Sequence, residues 1–228
     1  MTAKAIRFLR ARLPAAALCS AGTLLAAAAP AGVAQTTTAN TRLWHFTVLL
    51  DGKPIAWHDF EISGPDAEAE VAIRAEFKVT ALLIPVYSYQ QSNHERWRGG
   101  CLSAMDARTR DNGHEYRVHG QLAADAFNVQ GPQGLVALHG CVKSFAYWDP
   151  HTLAERQLLN SQTGEYETVS VTHIGSETLA FAGHTVPAEH YALAARKYTI
   201  ELWYSPQGAW LALQTLTEGR TVRYEMRP

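Results

Sequence analysis

The sequence predicts an all-β chain: an antiparallel meander curled into a half-open barrel, with a β-sandwich as the alternative and one short helix at most. Three observations carry this. Apolar and polar residues alternate along most of the chain, the period-2 pattern of half-buried strands. Turn signals recur at short intervals: Asp51-Gly52, Asn112-Gly113, Gly131-Pro132, Pro206-Gln207-Gly208 and Glu218-Gly219. Helical periodicity is nearly absent; only 151–159, entered through Pro150, reads as a helix. A long meander must close, curl or stack to bury its apolar face and manage its edges. A curled sheet offers a concave face to a ligand.

The elements follow in order. Trp44, Phe46, Val48 and Leu50 share one face of a first strand, which turns at Asp51-Gly52 into a second over 55–63. Val71, Ile73, Ala75, Phe77 and Val79 alternate with Arg74, Glu76, Lys78 and Thr80 in the cleanest half-buried strand. Residues 82–90 are more uniformly apolar, and Pro85 among them indicates an edge or a bulge. Strands are then predicted over 115–121, 126–130 and 135–139, and over 168–174, 178–182 and 188–194. The next carries Tyr198, Ile200, Leu202 and Tyr204 on one face, and two more run over 210–216 and 221–226. No proline-rich linker or low-complexity stretch follows Thr41, so a single all-β domain over 35–228 is expected.

Ahead of it, residues 1–34 read as a signal peptide. Lys4, Arg7, Arg10 and Arg12 precede the apolar run Ala15–Ala29, and Gly32-Val33-Ala34 supplies a small-x-small pattern, placing cleavage after Ala34. The mature chain is therefore expected in the periplasm or outside the cell, with no integral membrane segment. Leu18 before Cys19 argues against a lipoprotein, and the separated arginines argue against twin-arginine export. Without residues 1–34 the chain carries 16 basic and 21 acidic residues, a net charge of −5, which disfavours nucleic acid and anionic membrane surfaces as partners.

Two cysteines remain, each within a cluster of polar and aromatic residues: 95–102 around Cys101 and 140–150 around Cys141. Export makes a Cys101–Cys141 disulfide the first expectation; two buried thiols or a reactive pair are the alternatives. Glu95 beside Trp97 suggests a general acid whose pKa burial would raise, against the plainer reading of a Glu–Arg surface pair flanking a core Trp. Asp149 and Glu165 suggest the acid/base pair of a glycosidase, against capping and turn roles. Trp97, Tyr147, Trp148, Asn160, Gln162 and, more weakly, His58 are candidate ligand contacts, because aromatic faces and amides suit sugars and flat apolar molecules. The ten histidines show no metal-ligand spacing, so no metal is expected. Phosphate-loop, dinucleotide and nucleophile-elbow motifs are missing, so no cofactor is expected.

The residues from Leu43 to Tyr224 resemble a set of bacterial exported proteins grouped as a domain of unknown function. The resemblance rests on Trp44-x-Phe46-x-Val48-x-Leu50-Asp51-Gly52 followed by Ile55 and His58, then Glu95-x-Trp97, Cys101-Leu102, Thr109-x-Asp111-Asn112-Gly113, Cys141, and Phe145-Ala146-Tyr147-Trp148-Asp149. Leu158-Leu159-Asn160-x-Gln162-Thr163-Gly164-Glu165 completes it, and Cys141 to Glu165 is its most specific part. One departure is Ala56 before Trp57, where a Gly is expected in the hairpin. The resemblance implies export and a curled all-β sheet similar to half-barrels that carry lipoproteins or other apolar cargo; it implies no activity. Three functions stay open: binding or carriage of an apolar, amphipathic or carbohydrate ligand on the concave face; hydrolysis of an envelope carbohydrate by paired carboxylates; and an assembly role that offers a sheet edge to a partner. Oligomeric state is not legible in the sequence.

Overall fold

Alternation becomes strand throughout. The computed structural model describes residues 41–227 except 82, 83, 182 and 218, with backbone alone at the remaining positions of 79–86. Eight strands come first: β1 (Thr41–Leu50), β2 (Lys53–Ser63), β3 (Glu70–Ala81), β4 (Ile84–Arg98), β5 (Cys101–Asp111), β6 (His114–Ala123), β7 (Ala126–Gly131) and β8 (Gly134–His139). Six follow a long crossover: β9 (Gln157–Leu159), β10 (Tyr166–Phe181), β11 (His184–Ala195), β12 (Thr199–Tyr204), β13 (Trp210–Thr217) and β14 (Arg220–Met226). All fourteen lie in one antiparallel sheet, in the order 8-7-6-5-4-3-2-1-14-13-12-11-10-9. Two sequential meanders are thus joined where β1 pairs with β14, from Phe46 opposite Met226 to Leu50 opposite Val222. β8 and β9 end the two arms.

Among the described residues, helical structure is confined to two 3-10 turns, Asp66–Glu68 and Pro150–Ala154. The helix expected over 151–159 is cut short because Leu158 and Leu159 are fully buried and pair with β10 as β9. Asp149 caps the turn that remains, accepting from the His151 amide at 3.0 Å. The two strands expected over 168–174 and 178–182 are one, β10, with a register shift at Gly175; Ala182 lies outside the described residues. At Pro85 the β3–β4 pairing shifts register, between Val79 and Thr80, as a bulge would require. Two of the apolar residues expected in that strand, Leu82 and Leu83, also lie outside the described residues. β5 has no counterpart among the expected strands, although Met105, Ala107 and Thr109 alternate with Asp106, Arg108 and Arg110.

The inward faces of β1, β2, β12, β13 and β14 build an aromatic core. Phe46, Phe60 and Trp210 pack with ring centroids 4.5 to 6.1 Å apart. Trp210 donates its indole N–H to the Ala212 carbonyl at 3.0 Å, and Trp44 donates to the Trp210 carbonyl at 3.2 Å, so both buried indoles are satisfied. Among the described residues no helix is long and apolar enough to cross a membrane.

The crossover stitches the two arms. Cys141 is bonded to Cys101 at the start of β5. The Leu102 amide donates to the Val142 carbonyl at 2.8 Å, and the Leu159 amide donates to the Lys143 carbonyl at 2.8 Å. The short stretch Val142–Ser144 therefore lies between β5 and β9, hydrogen-bonded to each. Beyond it, the turn between β7 and β8 abuts the turn after β9. A Cβ on Gly131 would meet the Thr163 carbonyl oxygen at 3.2 Å and Gly164 Cα at 3.4 Å, so the close approach of these two turns needs glycine.

Candidate functional site

Strand alternation decides what faces the concave side. On β4 the inward positions are Tyr87, Tyr89, Gln91, Asn93, Glu95 and Trp97, a mostly polar column. On β2 and β3 they are His58, Phe60 and Ile62, with Ile73, Ala75 and Phe77, an almost wholly apolar surface. The concave side thus has a polar wall and an aromatic wall.

Between them lie two adjoining chambers. A smaller one of about 310 Å³ is lined by Phe60, Ile73, Phe145, Tyr147, Ile200 and Trp210, with Asn160 and Tyr198 among its polar residues. A larger one of about 770 Å³ is lined by Leu50, Ile55, Phe77, Asn112, Thr217 and Arg220. Six residues line both: His58, Tyr89, Gln91, Gln162, Thr215 and Tyr224. They form a waist between the chambers. Two long hydrogen bonds cross it, Tyr89 hydroxyl to Gln162 Oε1 and Gln91 Nε2 to Ser161 Oγ, both at 3.3 Å. They tie β4 to the turn after β9.

That turn is built by Asn160. Its Oδ1 accepts from the amides of Gln162 at 2.9 Å and Thr163 at 3.2 Å, the local bonding that favours Asn in turns. Its Nδ2 donates to Glu167 at 2.7 Å, and Glu167 also accepts from the Tyr198 hydroxyl at 3.0 Å. Asn160 thereby aims Gln162 at the waist.

His58 is the unusual member. Its ring stacks on Phe60 at 4.4 Å and lies 5.6 Å from Tyr224. The residue as a whole is half-buried, but both ring nitrogens are sealed and have no hydrogen-bond partner. Desolvation lowers its pKa from 6.5 to about 3, so the ring is neutral at physiological pH. Burial also raises the pKa values of Tyr89, Tyr147 and Tyr224, which keep their protons. Among the described residues no Asp, Glu, Lys or Arg lines the smaller chamber; in the larger one Arg220 is bound by Asp51 at 2.8 Å.

The structure divides the residues singled out in the sequence. His58, Tyr147, Asn160 and Gln162 come together around the chambers. Trp97 and Trp148 do not line them. They pack edge-to-face at 5.4 Å within the core, each 2% exposed. The three carboxylates occupy separate surroundings. Glu95 is buried and accepts from Asn93 Nδ2 at 2.8 Å, Trp97 Nε1 at 3.0 Å and Ser144 Oγ at 3.1 Å. Its burial raises its pKa against the opposing pull of those three donors. Asp149 faces His151 at 2.8 Å and the buried Lys143 at 3.8 Å. Glu165 accepts from Gln133 on the turn before β8. Among the described residues no cluster of His, Cys, Asp and Glu is arranged to hold a metal. Tyr89, Gln91, Thr215 and Tyr224 were absent from the sequence candidates. Their one signal is their inward parity in strands, on faces otherwise apolar or continuous with Glu95.

Comparison with known proteins agrees with this architecture. The family described as "Domain of unknown function (DUF6134)" matches residues 46–227, and the chain belongs to it. No curated protein matches the sequence. The fold is similar to the crystal structure of a beta-barrel-like protein of domain of unknown function DUF1849 from Brucella abortus. The TM-score is 0.59 at 11% sequence identity, covering 81% of this chain and 94% of that one.

Proposed function

We propose that this DUF6134 protein is an exported binding or carrier protein that holds a small apolar or amphipathic molecule in the paired chambers. The observation that carries the reading is the chamber pair, walled by aromatic residues on one side and by hydroxyls and amides on the other. Pockets that are mostly apolar, with a few placed polar groups, are the common form of small-molecule sites. The separation of Glu95, Asp149 and Glu165 into unrelated environments favours binding over hydrolysis, which needs two carboxylates across one cleft. The Cys101–Cys141 bond accords with an oxidising compartment, as export to the periplasm would provide.

The test is native mass spectrometry of protein prepared from periplasm without detergent, with organic extraction of what it holds. Wild type is expected to release a discrete molecule, and Thr215→Trp, which fills the waist, to release none while remaining folded. An empty wild-type protein, or equal retention by the variant, would overturn the proposal.

A further inference from the structure

The waist is more specific than its setting. The chambers on either side present Phe60, Ile73, Ile200, Trp210 and Leu213, or Leu50, Ile55, Phe77 and Val222, whereas the waist presents imidazole, amide and hydroxyl groups and no charge. Its bonding is incomplete. Among the described residues Gln91 Oε1 and Gln162 Nε2 are engaged by no other side chain, and the His58 ring beside them is uncharged. The two bonds that cross it are long enough, at 3.3 Å, to be exchanged for better ones. A group placed there by a ligand would be desolvated, so an ionic group would have no counter-charge to offset its burial, and a purely apolar one would leave the waist's polar atoms unmet.

Building on the binding function proposed above, we infer that the waist selects uncharged amphiphiles: an apolar body bearing a single hydroxyl, phenol or amide group that hydrogen-bonds at Gln91 and Gln162, beside the His58 ring. An acid or amine on the same skeleton is rejected.

Three probes of one skeleton test this by calorimetry: 1-naphthol, naphthalene and naphthalene-1-sulfonate. Wild type is expected to bind naphthol at least about ten-fold more tightly than the sulfonate, the scale of a desolvated charge without a partner. The Gln91→Leu/Gln162→Leu double variant is expected to bring naphthol to within about two-fold of naphthalene, whose own affinity stays unchanged. Side-chain amide shifts of Gln91 and Gln162 should move on adding naphthol and stay still on adding naphthalene. Equal binding of naphthol and sulfonate, or a preference that survives the double variant, would overturn the inference while leaving the chambers a binding site. Failure of all three probes to bind, or binding that Thr215→Trp does not weaken, would instead overturn the binding function and this inference with it.

Discussion

The aromatic wall and the polar wall of the concave face are made by the same device, alternate residues of neighbouring strands, yet they are held by different physics. Phe46, Phe60 and Trp210 form a surface whose stability comes from burial and ring packing, and it tolerates no loss of volume. The column from Tyr89 to Glu95 on β4 is held instead by directed bonds to the crossover and the turn after it, through Ser144, Ser161 and Gln162. One wall supplies the fold with its core. The other ties the two arms of the sheet together and leaves polar atoms for a ligand.

Substitutions should separate these roles. Trp210→Ala is expected to have the largest effect, about 4 kcal/mol of lost stability in denaturant unfolding, because a fully buried indole leaves a cavity the rigid sheet cannot fill. Replacing Cys101 and Cys141 with Ala should cost about 3–4 kcal/mol by the loop-entropy argument, with the loss expressed at the seam. Amide exchange should then quicken at Leu102 and Leu159 before it does at Phe46. Uniform exchange would show that the crossover is not an independent stitch.

Glu95→Ala comes next, at about 3 kcal/mol, since it strands the donors of Asn93, Trp97 and Ser144. Glu95→Gln should cost less, because the unpartnered Asn93 Oδ1 can accept from the new amide after a half-turn of its own.

The two walls also predict opposite pH responses. Glu95, with its pKa raised above the ordinary 4.5, holds its proton in the folded state to higher pH than in the unfolded one. Its contribution to stability is therefore present at low pH and lost as pH rises through the interval above 4.5. His58 runs the other way. Below about 6.5 the unfolded chain takes up a proton that the folded ring refuses until about pH 3, so stability declines as pH falls through that window. The slope is at most about 1.4 kcal/mol per pH unit. His58→Phe should flatten the acidic side of a Tm–pH profile and leave the Glu95 response intact. The smallest stability effect, under about 1 kcal/mol, is expected for Gln91→Leu with Gln162→Leu, whose bonds are long and part-exposed.

Much of the aromatic wall was legible because period-2 alternation is a local signal. Trp44, Phe46 and Val48, then Val71, Ile73 and Ala75, declare their face within a few residues. The polar wall was harder to read. Gln91 and Asn93 look like surface residues until β4 is known to continue to Arg98 and their parity with buried Trp97 is fixed. The grouping of His58 with Gln162 was not readable at all. It depends on how far the sheet curls before the turn after β9 reaches β4, a sum of small twists that no short stretch encodes. The Asp149–Pro150 pair announced a cap, but where the turn ended depended on Leu158 and Leu159 being claimed by the core.

The meeting of β1 and β14 bears on the order of assembly. Apart from that junction, every neighbour in the sheet is next to its partner along the chain, so each arm can form from quick local hairpins, while joining Phe46 to Met226 must wait for a very long loop to close. Cys101 and Cys141 both precede the second arm. For a chain that emerges amino end first, the covalent clasp is available for oxidation before β9 to β14 exist, and the first arm is already tethered to the crossover when the second arrives to complete the chambers.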